Sequence, residues 1–89
     1  MHKFLAVLLI VILICETLGI SIYDWNRLSG EQQYGIKCLE KKEIYDLVKY
    51  RLLGGGKAQA IEFCSQYLAP DTCKHAVEGL AVIHYISRP

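Results

Sequence analysis

Two kinds of apolar pattern divide this chain. From Phe4 to Cys15 twelve residues in succession are apolar, behind a short basic head of Met1, His2 and Lys3. From Ile44 onward, separate stretches place apolar residues three or four positions apart, the period of a helix with one buried face. Ser29 and Gln32 have the spacing of a capping box, in which each side chain satisfies an orphan backbone N–H near the other residue. A first helix is expected from there, with Ile44, Leu47, Val48 and Leu52 on its inner face and Lys42, Glu43, Asp46 and Lys49 outside. Gly54, Gly55 and Gly56 stop it, because glycine loses most backbone entropy in a helix and readily takes the left-handed cap.

A second helix runs from Lys57 to Leu68, with Ala60, Ile61, Cys64, Tyr67 and Leu68 along one stripe. Pro70 ends it by disfavouring helical geometry at Ala69. Asp71 or Thr72 can cap a third helix, whose inward stripe is Cys73, Ala76, Val77, Leu80 and Ala81. Past Gly79 apolar residues occupy every side: Leu80, Ala81, Val82, Ile83, Tyr85 and Ile86. The stretch from Ile22 to Leu28 has no helical period and reads as an extended arm. These features predict an all-α fold, a small bundle of three helices with one disulfide linking two of them.

The N-terminal apolar run has the length of a signal-peptide core and falls short of the roughly 20 residues that span a bilayer. Residues 1–19 are therefore expected to be a signal peptide, with small residues permitting cleavage after Gly19 or after Ser21. The competing outcome is an uncleaved anchor lengthened by Leu18, Ile20 and Ile22, which would have to carry Glu16 in the membrane. Cleavage places residues 20–89 in a single domain, with its arm reaching to about residue 28. The expected location is secreted: extracellular, or the lumen of a secretory or acidic compartment.

Losing Lys3 and Glu16 turns ten basic and nine acidic residues into nine against eight. So even a balance excludes nucleic acid as the partner, since that needs a clustered basic surface, and it makes a poor polybasic membrane patch. His75 and His84 add positive charge only as the pH falls toward about 6.5.

A domain this small gains little from its core and calls for covalent help. Of four cysteines, Cys15 leaves with the signal, so Cys38, Cys64 and Cys73 remain in an oxidising compartment. Cys64 near the end of the second helix and Cys73 at the start of the third would meet in an antiparallel hairpin. The alternatives pair Cys38 with Cys64 or with Cys73. The odd cysteine is free or intermolecular, and with a Cys64 to Cys73 bridge that residue is Cys38.

A helix that is apolar all round has to be covered, and two short neighbours cover only part of it. A membrane, a lipid or a second copy could do so, as could Tyr23 and Trp25 of the arm.

The run Ala60-Ile61-Glu62-Phe63-Cys64-Ser65-Gln66-Tyr67-Leu68, followed by Pro70, Cys73, Ala76 and Val77, resembles the middle of saposin-like proteins, with Cys38 at the head of the first helix. These are small secreted helical domains that bind or disturb lipid, amoebapore-type pore formers among them. The similarity covers Cys38 to about Ile86. It departs where the family has a second cysteine three residues from the first, since Gly35 and Lys41 stand there, and no cysteine follows Cys73. The resemblance implies that Cys64 and Cys73 form the inner disulfide. It also implies that helices hinged on that bridge open or dimerise to present Leu80, Val82, Ile83 and Ile86 to acyl chains.

The expected function is lipid-membrane binding or perturbation, with antimicrobial action as one form of it, and a homodimer through Cys38 or the third helix as one assembly. The alternative is a secreted ligand or effector acting on a protein receptor, with Tyr23, Trp25 and Arg27 as anchors. Enzyme activity is not expected, because Cys73 and His75 lie two apart and point to different helix faces. No metal or cofactor motif is present: Gly54-Gly55-Gly56-Lys57 lacks both the upstream glycine and the following Ser or Thr of a phosphate loop. Glu40, Glu43 and Asp46 lie among lysines as a solvated face.

Overall fold

The computed structural model describes residues 9–10, 12–13, 15–16 and 18–87. Met1 to Leu8, Val11, Ile14 and Thr17, on which much of the signal-peptide expectation rests, lie outside the described residues, as do Arg88 and Pro89. All regular structure among the described residues is helical. Five helices follow Ser21: α1 (Ile22–Asn26), α2 (Gly30–Lys41), α3 (Tyr45–Gly55), α4 (Lys57–Cys64) and α5 (Pro70–His84).

The stretch expected as an extended arm is therefore a short helix. Ser21 caps α1 by accepting from the Asp24 N–H while its hydroxyl donates to the Asp24 carboxylate. Five residues are too few to show a period, which is why the pattern was invisible. Trp25 is 1 % exposed, and its carbonyl accepts from Gln33 Nε2 at 2.8 Å, pinning α1 to α2.

The single helix expected from Ser29 to Leu52 is two. Its capping box is present as read, with Ser29 and Gln32 bonded reciprocally. The break lies at Glu43, which takes a positive φ of 61°. Ile44 N–H then donates to Leu39 C=O and Glu43 N–H to Glu40 C=O, the bond pair of a Schellman motif. At about 100° per residue, an unbroken helix would set Ile36 and Leu39 roughly 160° around the axis from Ile44, Tyr45, Val48 and Leu52. The turn lets both sets reach one core, and all six are buried. Tyr45 thereby takes the inward place that Leu47 was expected to hold.

The same closing motif recurs at Gly19 and Tyr85, both at positive φ, with Ile20 N–H donating to Cys15 C=O and Ile86 N–H to Ala81 C=O. At the start of α5, Pro70 occupies the first turn and Ala69 stands at the cap, so proline's fixed φ opens the helix and neither Asp71 nor Thr72 caps it. Helix α4 ends earlier than expected, at Cys64, and residues 65–67 are a turn.

Helix α5 forms the centre, packed along α2 and also against α4 and α3. Gly35 of α2 lies against Thr72 and Ala76 of α5, and Gly79 of α5 lies against Gln32 and Ile36 of α2, so the two run antiparallel. The inward stripe of α5, Cys73, Ala76, Val77, Leu80 and Ala81, is buried, while Ile83 and Ile86 are half-buried and Val82 and Tyr85 stay exposed.

Candidate functional site

Cys64 and Cys73 are joined by a disulfide across the α4–α5 corner, with their Cα atoms 5.7 Å apart. Cys38, on α2, is half-buried and has a free thiol. It borders a groove of about 320 Å³ with Lys41, Lys42 and Leu68.

The four residues expected to meet acyl chains do not form one surface. Leu80 is 0 % exposed and belongs to the core, so in this fold it presents nothing to a lipid. Ile83 and Ile86 are half-buried and pack on the core cluster, while Val82 is exposed. The arm proposed as a receptor anchor is divided in the same way, since Trp25 is the bulkiest core side chain while Tyr23 and Arg27 face outward.

The exposed apolar surface that sequence reasoning missed is on α3. Leu47 is 53 %, Tyr50 80 % and Leu53 42 % exposed, and at about 100° per residue they lie on the side of the helix opposite buried Tyr45, Val48 and Leu52. Helix α3 is thus apolar on two faces. Lys49 and Arg51 fall about 40° outside the two edges of the outer ridge. Each stands over an aromatic ring, Lys49 Nζ at 5.6 Å from Tyr45 and the Arg51 guanidinium at 4.6 Å from Phe63. Beside Arg51 a polar groove of about 370 Å³ is lined by Gln59, Glu62, Phe63 and Gln66.

Two buried polar atoms lie near the inner side of this helix. Tyr45 Oη and His84 Nε2 are enclosed and have no hydrogen-bond partner among the described residues. Burial, with some help from the Asp46 carboxylate, pushes the Tyr45 hydroxyl up to about 12. Burial likewise lowers the His84 imidazole, and the Lys49 charge adds to that, against a smaller opposing pull from Asp24. On the opposite flank, His75 Nε2 is 2.8 Å from a Glu31 carboxylate oxygen, tying α5 to the first turn of α2.

Among the described residues no group of three or more His, Cys, Asp or Glu is placed to hold a metal ion, and no helix is long and apolar enough to cross a membrane. Comparison with protein-family models, characterised proteins and solved structures returns no match.

Proposed function

We propose that this chain is a secreted protein that binds lipid membranes peripherally, lying on the bilayer surface. The outer ridge of α3 carries the reading. Leucine and tyrosine at Leu47, Tyr50 and Leu53 add nothing to the core from that side, and water is their poorest environment. Tyrosine suits the headgroup region, having an apolar body and a polar tip. Burying three such side chains contributes on the order of 1.5 to 3 kcal/mol each before the cost of orienting the protein, enough for reversible attachment. The resemblance of Cys38 to about Ile86, carried by Ala60 to Val77, to saposin-like proteins supports the same reading. The receptor-ligand alternative loses Trp25 as an anchor to burial and keeps Tyr23 and Arg27.

Co-sedimentation of the secreted chain with phospholipid vesicles tests this. Recovery with the vesicle pellet is expected, and a protein left wholly in the supernatant would refute it. Dye leakage from the same vesicles separates binding from perturbation.

A further inference from the structure

The near-neutral total charge conceals an uneven distribution. Between residues 41 and 57 lie Lys41, Lys42, Lys49, Arg51 and Lys57 against Glu43 and Asp46, a local charge of +3 that leaves −2 for the rest of the +1 chain. This stretch runs from the last residue of α2 to the first of α4 and contains α3, which holds the exposed Leu47 and Tyr50 and itself carries Lys49 and Arg51 against Asp46. The apolar ridge therefore lies within a positively charged stretch of the chain, with Lys49 and Arg51 on the same helix as the ridge.

We infer that the protein docks on anionic phospholipid in its closed fold, through the outer face of α3. This rests on the lipid reading above and adds the lipid class, the docking helix and the absence of opening. Leu47 and Tyr50 enter the interface, and Lys49 and Arg51, one on each side of the ridge, face lipid phosphates and carboxylates. In the free protein the rings of Tyr45 and Phe63 hold these two cations at the flanks of the helix, so each side chain swings off its ring to reach the headgroups. Lys41, Lys42 and Lys57 extend the positive field beyond both ends of the helix, while Asp46, in its first turn, limits how far the ridge sinks at that end.

No rearrangement is needed to present this face. Opening α4 and α5 away from α2 would instead strip water-excluded contacts from Val77 and Leu80, both 0 % exposed, with no gain for a ridge already outside. The closed fold also keeps Trp25, the chain's single tryptophan, inside.

The test uses vesicles of phosphatidylcholine alone and of phosphatidylcholine with phosphatidylserine. Binding is expected to need phosphatidylserine and to weaken with added salt. Lys49→Gln with Arg51→Gln should weaken it about 25-fold at low salt, some five-fold per charge. Leu47→Ser with Tyr50→Ser should abolish it, and unchanged Trp25 emission will show that these exposed substitutions leave the fold intact. Trp25 should stay shielded from iodide on vesicles as in solution.

Equal binding to both vesicle types, or binding untouched by the ridge substitutions, would overturn the inference while leaving lipid binding standing. A Trp25 that becomes accessible to iodide only on vesicles would overturn closed docking. No binding to either vesicle type would remove the inference together with the lipid reading on which it rests.

Discussion

A methyl group placed on Gly35 would sit 2.8 Å from the Ala76 backbone nitrogen, so α2 and α5 meet there backbone to backbone. Real Cβ atoms do not approach that closely, and a helix backbone cannot yield as a flexible side chain can. Gly35→Ala is expected to cost about 1 to 3 kcal/mol by overpacking, despite alanine's better helix propensity. Gly54→Ala, where nothing lies within 4 Å, should instead stabilise by up to about 1 kcal/mol. Urea midpoints of the two variants should shift in opposite directions.

The Cys64 to Cys73 bridge closes a loop with a sequence separation of 9. In the chain-entropy account that contributes about 2.5 kcal/mol. Replacing both cysteines by alanine should lower stability by about that amount and leave helix content near its present value. Far-UV circular dichroism through a urea titration reads both.

His84 provides a pH dependence of defined sign. Its folded-state pKa is lowered, by burial first and the Lys49 charge second, while in the unfolded chain it returns to about 6.5. The unfolded state then binds the proton more readily. This contribution to stability is intact above about pH 6.5 and is lost as the pH falls from there through the lower folded value. His84→Gln should remove that part of the acid loss, visible as a flatter plot of urea midpoint against pH. The same burial makes His84 a reluctant source of extra positive charge for an acid-dependent membrane attachment.

Of the two expected cleavage positions, the structure makes one less costly. Ile20 is 4 % exposed, and Ser21 caps α1 through the Asp24 N–H. Cutting after Ser21 would discard a core residue and a cap that contributes about 1 kcal/mol. Cutting after Gly19 keeps both, though Cys15 and Leu18, also buried here, are lost either way. Intact-mass measurement of the secreted product should give a chain beginning at Ile20 with one disulfide. A chain beginning at Ile22, or one still carrying Met1, would contradict this.

Periodicity located the elements whose inner faces are regular. The α5 stripe from Cys73 to Ala81 is buried as its spacing indicated, and the Ser29–Gln32 box starts α2. The proximity of Cys64 and Cys73 was also legible, because a helix end, a short link and a helix start bring two such residues together. Three features were not. Helix α1 is too short for a period to register, and its only local sign was Ser21 three residues before Asp24. The break at Glu43 carries no glycine or proline, and its trace in the sequence is the phase jump between Ile36, Leu39 and the later Tyr45, Val48, Leu52 set. Without that phase the spacing puts Leu47 inside in place of Tyr45, which hides the exposed ridge. Counting two covering helices overstates the bare apolar surface of α5, of which Val82 and Tyr85 are the exposed part.

The central claim, that the outer face of α3 meets lipid, is tested most directly by moving a fluorophore onto it. Trp25 is buried and its emission should not change on vesicles, so any shift or quenching reports the indole introduced by Tyr50→Trp, with Tyr34→Trp on exposed α2 surface as the comparison. On vesicles containing phosphatidylserine and bromine-labelled lipid, the indole introduced by Tyr50→Trp should shift to the blue and be quenched, while the one introduced by Tyr34→Trp is not. Quenching at position 34 with none at position 50, on vesicles that bind the protein, would contradict the account.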